Sequence, residues 1–547
     1  MLFRNKYSWS IDILILVSLL GGLFFFMLGV RPLSVPDEAN YAEITREMFI
    51  NHDYITPYLN GIKFFDKPIL LYWFGVGCFK FFGIHLWSLR SVNALMGLCG
   101  CLATYVTARK CYDRTTGFFA AFILGTSVLY FVLLHLYTMD LMVTVFIAVT
   151  LFAFILGMKS EKHRLQYFMC AAISSGLAVL TKGLIGILLP GIVIMVWSLV
   201  YHQWKWFNGL TLIVCSSLFL MIVMPWHLLA AFENPSFLYF YFIEHHLIRF
   251  ESGAVGHIKP FWYYIPVMCW GFYPWIVFLP EVMYLILRNR SAFKIEFYFV
   301  FSALLIFIFF TLSKAKLVPY ILVVFPPLAI LIAHYLREKI KNKDFNGIQK
   351  GYGLLLLSAI VCSPVFLFFT RYFQVANPAL TNIYLWTVIV VIIIGSTLNY
   401  IFSKNNLQCA ILSTCMMAAI IDVLLIAAIP SMDSRTTFPL ANVLKQIAHP
   451  DDEIISLGHY YYDLPFYLEK RIDVVNANHL FTYGLSHQMQ HDWIINDDIF
   501  KTKWLSHRRV FALMDLKDYE NMPLKYKALA FYPLAQTKKY ILVSNVP

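Results

Sequence analysis

Two acidic positions in the sequence could supply a general base and a second carboxylate beside it. Asp37 and Glu38 are adjacent and follow Pro36, and Asp140 stands at the start of a later apolar run. Neighbouring carboxylates on a helix point in different directions, so one can react while the other caps, orients or binds a cation. Each position is also explained by the preference for acidic residues at helix starts. If both lie at one face, they suit a base with a partner.

Five basic residues that interrupt or border apolar sequence form the second group. They are Lys67, Lys182, Arg249, Lys314 and Lys316. Snorkelling to the membrane interface explains a single lysine in such a place. Gly183 beside Lys182, however, allows close approach of another group. Phosphate or diphosphate is the ligand that a set of such cations would hold.

The remaining candidates could bind substrate or a metal. They are Asp66, His246, His257 and Tyr320. His246 and Arg249 are three residues apart and share a face if that segment is helical. His245, His246 and His257 could bind a metal with a carboxylate, but an interfacial histidine that is simply hydrogen-bonded explains the same spacing. The sequence therefore requires no cofactor and leaves a divalent metal open.

The composition places these residues in a polytopic α-helical membrane protein. The chain of 547 residues is 60% hydrophobic and 14% charged, whereas soluble domains carry about 25% charged residues. Apolar runs recur along the chain and predict about 13 transmembrane helices of about 20 residues each. The first, Ile11 to Val30, is not followed by a small-residue cleavage site and is interpreted as a permanent span. The weak run 69–86 is expected to merge with 87–108 or to lie partly in the interface.

Charge patterning predicts the orientation of the spans. Lysine and arginine accumulate in the short loops 109–114, 159–164, 288–294 and 337–350, which should face the cytoplasm. With the N-terminus in the cytoplasm, all the candidate residues then map to the external face. The positive-inside rule does not explain basic residues on the external face, whereas binding of a phosphate at the membrane surface would explain them. Much of the net charge of +12 is thus orientation signal rather than a sign of nucleic acid.

We expect two domains: a membrane-embedded catalytic domain over 1–430 and a small α/β domain over 431–547. Two long external loops, 31–68 and 230–262, belong to the first. The apolar spacing over Asp37–Asn51 predicts an amphipathic helix that lies on the membrane surface.

In the second domain, alternating apolar patterns predict strands and helices. The predicted strands are Glu453–Leu457, Arg471–Val475, Arg509–Met514 and Tyr540–Val543, and the predicted helices are Leu464–Lys470 and Leu516–Asn521.

No nucleotide-binding motif is present, because the chain has neither a Walker A loop nor a G-x-G-x-x-G segment that precedes a helix. A lipid-linked donor therefore fits better than a nucleotide-linked one. Carboxylates beside a phosphate clamp indicate group transfer from a lipid phosphate. The base would deprotonate an acceptor hydroxyl or phosphate oxygen, and the cations would stabilise the departing lipid phosphate.

Six segments, in chain order, carry a family resemblance. They are Val35–Met48, Phe65–Pro68, Leu180–Gly183, Glu244–Phe250, His257–Tyr264 and Ser313–Tyr320. Together they resemble the bacterial 4-amino-4-deoxy-L-arabinose lipid A transferases, which belong to the protein-mannosyltransferase-like group of GT-C glycosyltransferases. The resemblance extends over nearly the whole chain and includes the segment Tyr462–Leu468.

This resemblance implies a GT-C fold with 13 spans and a periplasmic α/β domain. It implies an inner-membrane enzyme whose donor is undecaprenyl phosphate–aminoarabinose and whose acceptor is a phosphate of lipid A, embedded among membrane lipids. That lipopolysaccharide modification confers resistance to polymyxin and other cationic antimicrobial peptides. Asp37 would match the essential acid and Asp140 the second one. Lys67, Arg249 and Tyr320 would match residues that hold the carrier phosphate.

Two departures from the family pattern keep the sugar open. This chain has Asn40 where members often have arginine, and Asp66 where they often have glutamate. A related enzyme that moves galactosamine, mannose or another lipid-linked sugar to lipid A, a glycan or a protein is the alternative. A transporter or flippase is disfavoured, since the sequence shows no internal repeat and the charges gather at one face.

Overall fold

The computed structural model describes residues 8–202, 204, 208–248, 258–288, 294–372, 375–476, 492–526 and 529–547. Long helices make up most of this structure, and a mixed β-sheet follows them near the C-terminus.

The first half of the chain is helical apart from one small hairpin. Its helices are α1 (Ser8–Phe25), α2 (Asp37–Asn51), α3 (Leu70–Phe82), α4 (Leu86–Cys111), α5 (Arg114–Gly125), α6 (Val128–Leu134), α7 (Met139–Lys159), α8 (Arg164–Lys182), α9 (Ile185–Val200) and α10 (Gly209–Glu233). Strands β1 (Tyr58–Leu59) and β2 (Ile62–Lys63) form the hairpin between α2 and α3.

The second half continues the bundle and then changes character. A π-helix (Tyr239–Ile248) and 3₁₀ segments (Phe261–Tyr263, Trp275–Phe278, Val318–Val324) alternate with α11 (Tyr264–Gly271), α12 (Leu279–Arg288), α13 (Lys294–Leu312) and α14 (Phe325–Lys341). Then come α15 (Asn346–Tyr372), α16 (Pro378–Asn405), α17 (Leu407–Met432) and α18 (Phe438–Ile447).

Among the described residues, 8 helices are long and apolar enough to cross a membrane, and up to 10 if each of two bent helix pairs counts as one span. The bends measure 67° between α5 and α6, and 108° in the pair formed by Phe261–Gly271 and Trp275–Arg288. The polytopic helical fold class is thereby confirmed. The count of about 13 crossings is not confirmed and stays a prediction.

The weak apolar run after the first loop forms its own helix. Helix α3 ends at Phe82, directly before Gly83, whose φ of 80° lies in the left-handed region, and α4 starts three residues after Gly83, at Leu86. Of the two alternatives for 69–86, a merger with 87–108 into one helix is therefore wrong, because glycine at that φ breaks the helix. A position partly in the interface stays a prediction.

Helix α2 has the predicted bounds but not the predicted environment. Its residues from Glu38 to Met48 are almost all buried, including Glu43, Arg46 and Glu47. Arg46 donates two hydrogen bonds to the Glu43 carboxylate, at 2.6 and 2.8 Å, and one to the backbone oxygen of Glu469 at 3.1 Å. The helix therefore does not lie on a membrane surface. Its charged side packs against the C-terminal domain, where partner groups replace water.

The C-terminal elements follow the predicted strand and helix pattern. The strands are β3 (Glu453–Leu457), β4 (Asp473–Val475), β5 (Ile494–Ile495), β6 (Val510–Asp515), β7 (Tyr532–Gln536) and β8 (Tyr540–Ser544), and the helices between them are α19 (Leu464–Leu468), α20 (Asp497–Trp504) and α21 (Leu516–Lys525). The sheet order is β5-β4-β3-β6-β8-β7, parallel from β5 to β6 and antiparallel at β8 and β7. Strands β5 and β7 and helix α20 were not predicted.

One hydrophobic core joins the membrane bundle to this domain. Buried residues of α2 and α3, such as Ile44 and Leu71, belong to the same cluster as Ile454 and Leu542 of the sheet. The first loop is thus held between the bundle and the sheet, and this fixes where its acidic residues lie.

Candidate functional site

Asp37 and Glu38 begin helix α2, and their side chains face opposite environments, as the sequence predicts. Asp37 is exposed, whereas Glu38 is 1% exposed. Only Asp37 is therefore placed to react with a molecule from outside.

Glu38 is the centre of a buried charge cluster with two arginines. Arg31 donates to its carboxylate at 2.9 and 3.0 Å, and Arg90 does so at 2.8 and 3.2 Å. The backbone N–H groups of Ser34 and Tyr137 add bonds at 2.8 and 2.9 Å. Burial alone would raise the pKa of Glu38, but the charges of Arg31 and Arg90 outweigh it and lower the pKa to about 2. Glu38 is thus a fully paired carboxylate.

The same two arginines also form hydrogen bonds with the backbone of the chain segments around Glu38. Arg90 donates to the backbone oxygens of Leu28, Arg31 and Pro32 at 2.8–2.9 Å. Arg31 donates to the backbone oxygen of His135 at 2.5 Å. The chain leaving α1, the start of α2 and the segment before α7 are therefore locked together.

The second acid, Asp140, lies in the first turn of α7 and forms an ion pair with Lys182. Both side chains are partly buried, at 17% and 15% exposure. The Lys182 ammonium also lies 4.7 Å from the centre of the Tyr320 ring. The structure thus brings together three predicted residues from three helical segments.

Two tyrosines connect this group to Asp37. Asp37, Asp140 and Asp66 all act electrostatically on Tyr41, and Asp37 acts on Lys182 as well. The ring of Tyr41 lies 6.2 Å from that of Tyr72. The four predicted residues Asp37, Asp66, Asp140 and Lys182 therefore share one electrostatic neighbourhood.

Sequence reasoning had not assigned a role to Tyr41, Tyr72, Arg31 or Arg90. Tyr41 is one helical turn after Asp37, and that spacing could have identified it. The Tyr72 hydroxyl is buried and makes no hydrogen bond within the part of the chain that the structure describes. The two arginines carry no local signal, because their partners are 7 and 52 residues away along the chain.

Asp66 and Lys67 occupy the link between the β1–β2 hairpin and α3. Both are partly buried, and Phe65 before them is fully buried and packs on Phe237 at 4.8 Å. The buried phenylalanine anchors the link, and Asp66 within it acts electrostatically on Tyr41 and Tyr72.

The two lysines of the 314–316 turn have separate environments. Lys316 is 4% exposed and donates to the backbone oxygens of Ser313 and Lys259, so its ammonium stabilises its own turn. Lys314 is exposed.

Three predicted residues fall where the structure gives no side chain. The backbone of His246 lies in the π-helix, but its side chain and the whole of Arg249 and His257 lie outside the described residues.

A different group has metal-ligand spacing within the described ranges. Ligand atoms of His459, Asp515 and Asp518, in the C-terminal domain, lie within 4.8 Å of one another. This group is remote in sequence from the predicted histidines.

Two family models match the chain. The model "Dolichyl-phosphate-mannose-protein mannosyltransferase" covers residues 66–228, and "Aminoarabinose transferase C-terminal domain" covers residues 440–545.

Curated relatives share the same description. The undecaprenyl phosphate-alpha-4-amino-4-deoxy-L-arabinose arabinosyl transferase of Erwinia tasmaniensis is 30% identical over 332 residues, 59% of each chain. That of Wigglesworthia glossinidia brevipalpis is 33% identical over 347 residues, 62% of this chain and 60% of its own. The alignments thus span less than two thirds of the relatives' length.

Solved structures match over more of the chain. ArnT from Cupriavidus metallidurans, bound to undecaprenyl phosphate, superposes with a TM-score of 0.85 at 25% identity, covering 99% of this chain and 98% of that one. The Archaeoglobus fulgidus oligosaccharyltransferase superposes with a TM-score of 0.54 at 13% identity, covering 97% and 74%. The second likeness concerns the fold alone.

A helical membrane bundle with acidic residues at one end and an α/β domain packed on that end defines the class: the protein has the fold of the GT-C glycosyltransferases. The C-terminal match and the near-complete superposition on ArnT refine this. The chain is similar to the aminoarabinose transferases over nearly its whole length and is a multi-pass inner-membrane protein, which confirms the sequence resemblance.

Proposed function

We propose that the protein transfers 4-amino-4-deoxy-L-arabinose from undecaprenyl phosphate to a phosphate of lipid A at the periplasmic face of the inner membrane. The observation that carries this proposal is the arrangement of Asp37 with the Asp140–Lys182 ion pair at one end of the bundle. The curated relatives are named for this sugar and this carrier, and the ArnT structure contains undecaprenyl phosphate.

The carrier phosphate would be held by cations and a phenol. Lys182 is already oriented by Asp140 and by the Tyr320 ring, and Lys67 directly follows Asp66 in the chain. The family resemblance adds Arg249. Pre-oriented cations stabilise a departing phosphate without reorganisation during the reaction. In this role Asp140 is a positioning residue for Lys182.

The chemical step is then a single displacement at the sugar. An oxygen of the lipid A phosphate attacks C1 of the aminoarabinose, and the bond between C1 and the carrier phosphate oxygen breaks. Asp37 takes the proton of the acceptor phosphate where that oxygen carries one, and undecaprenyl phosphate leaves with the electron pair. Asp37 suits this role because it is exposed, while Glu38 beside it is fully paired.

The test uses the purified full-length protein in lipid nanodiscs with undecaprenyl phosphate–aminoarabinose and lipid A. Mass spectrometry of the lipid A should show an increment of one aminoarabinose. No increment would overturn the proposal. An increment only with a galactosamine or mannose donor would replace the sugar and establish the alternative enzyme. Lipid A from which the phosphates have been removed should accept nothing.

A further inference from the structure

A cavity of about 310 Å³ lies between the first loop and the C-terminal domain. Val35 and Pro36, directly before Asp37, form one wall. Residues from the sheet and from the chain that leaves α17 form the rest. The mechanism above does not use this cavity, although it borders the proposed base.

The cavity is at the point in the sheet where ligands bind in open α/β folds. Strands β3 and β6 are parallel neighbours, and the next strands lie on opposite sides of the pair. His459 follows β3 and Asp515 ends β6, and both line the cavity. Such a switch in strand order leaves a crevice at the carboxyl ends of the strands.

Cationic side chains make the cavity suitable for an anion. Arg435 and Lys539 line it. Asp463 holds the backbone after Arg435 by accepting bonds from Thr436 and Thr437 at 2.8–2.9 Å. The Arg435 side chain remains 56% exposed and lies 3.4 Å from the Asp433 carboxylate. The backbone is thus fixed, and the accessible guanidinium can exchange its contact with Asp433 for one with a phosphate.

Aromatic rings and a carboxylate complete the lining. The rings of Tyr461 and Tyr540 meet edge to face at 5.1 Å. The Tyr461 hydroxyl donates to Asp515 at 3.3 Å. Largely apolar ring surface with a few placed polar groups is typical of small-molecule sites, whose volumes start at about 300 Å³. A carboxylate beside cations adds an acceptor for hydroxyl or ammonium groups.

One lining residue connects the cavity with the proposed base. Burial raises the pKa of the Tyr462 phenol, and the charge of Asp37 raises it further. Tyr462 therefore lies within electrostatic range of Asp37, and its ring packs on that of Tyr460 at 5.3 Å. A ligand in the cavity would be adjacent to the reacting groups.

We infer that this cavity binds a phosphate-bearing amino-sugar headgroup of the acceptor lipid. Arg435 and Lys539 hold a phosphate, Asp515 accepts from an amine or hydroxyl of the sugar, and the wall at Pro36 directs the other end of the headgroup to Asp37. The inference rests on the proposed function, whose acceptor carries such a group.

The test compares two charge-matched double variants in nanodiscs. R435Q/K539Q removes two cations from the cavity, and K445Q/K517Q removes two exposed cations elsewhere in the same domain. Native mass spectrometry measures binding of bisphosphorylated lipid A, of dephosphorylated lipid A and of undecaprenyl phosphate to each.

R435Q/K539Q should weaken binding of bisphosphorylated lipid A about tenfold or more, while undecaprenyl phosphate binds as to wild type. The control variant should bind all three lipids as wild type does. Equal binding of the two lipid A forms to wild type, or equal weakening in both variants, would overturn the inference.

The two proposals can fail separately. Wild type that binds lipid A through Arg435 and Lys539 but transfers no sugar refutes the proposed function and leaves the binding site standing. Normal transfer with an unchanged KM for lipid A in R435Q/K539Q refutes the binding site and leaves the function standing.

Discussion

Glu38 accepts a hydrogen bond at 2.9 Å from the backbone N–H of Tyr137. Asp37 directly precedes Glu38, and Asp140 is three residues after Tyr137. One buried bond therefore connects the chain at the proposed base with the chain at its acidic partner. The Tyr137 side chain extends the connection, because its hydroxyl donates to the Leu71 oxygen at 2.7 Å and lies 3.0 Å from Thr45.

Replacing Glu38 by glutamine should destabilise the protein and misplace the two acids. The variant leaves Arg31 and Arg90 buried without a counter-charge, and removal of one partner from a buried pair costs about 3–5 kcal/mol. The denaturation temperature in detergent should fall, and transfer should fall even where the variant is folded. The exposed Glu161→Gln change is the matched control. A variant as stable as wild type would contradict the positioning role.

Glu38 should also produce a pH dependence of stability. Its folded pKa of about 2 lies below the ordinary value of 4.5. The ionised form is therefore favoured in the folded state, and the stabilisation is fully present above pH 4.5 and lost as the pH falls from there toward 2. Denaturation temperatures measured across that window should drop more steeply for wild type than for Glu38→Gln. Parallel curves would contradict the assignment.

Replacing Asp37 by asparagine should reduce the transfer rate about a thousandfold, because a general base contributes about 10²–10⁴. Since Asp37 is exposed, the fold and the binding of undecaprenyl phosphate should persist. The measurement is single-turnover transfer to lipid A. The same change at the exposed Asp451 should leave the rate at the wild-type value. Near-normal turnover of Asp37→Asn would remove Asp37 from the reaction.

Asp140 and Lys182 should behave as one unit. Lys182→Gln removes the proposed phosphate donor and Asp140→Asn removes what orients it, so each should lower kcat about a hundredfold. The double variant should lose little more than either single one, since residues that act together are not additive. Fully additive losses in this double-mutant cycle would show that the ion pair has no joint role.

Replacing Tyr72 by phenylalanine tests whether its buried hydroxyl forms a hydrogen bond with the substrate. An unpaired buried hydroxyl costs about 1–3 kcal/mol, so the substrate-free variant should be slightly more stable than wild type. If the sugar donor pairs with this hydroxyl, kcat/KM should fall about tenfold. Tyr137→Phe is the contrasting control, since it loses bonds that the structure contains and should lose stability. Unchanged kcat/KM in Tyr72→Phe would rule out the substrate contact.

Much of the architecture was predictable from local pattern. The helix Asp37–Asn51 and the strand Glu453–Leu457 have the predicted ends, because apolar periodicity and helix-start residues act over a few positions. The strand Ile494–Ile495 was missed because two residues are too short for an alternating pattern to register. The surroundings of α2 were also missed, since a helix with mixed polarity can face a membrane surface or another domain.

Composition and motif spacing are local properties of the chain, so the polytopic membrane fold and the family-specific order of acidic and basic residues could be predicted without a structure. Which of the two adjacent carboxylates is accessible from outside depends on the tertiary structure. Asp37 and Glu38 are both carboxylates and adjacent in the sequence. Arg31 and Arg90, which are 7 and 52 residues from Glu38, neutralise Glu38, whereas Asp37 is exposed. Pairing between distant segments depends on how the helices pack, and no local pattern records it.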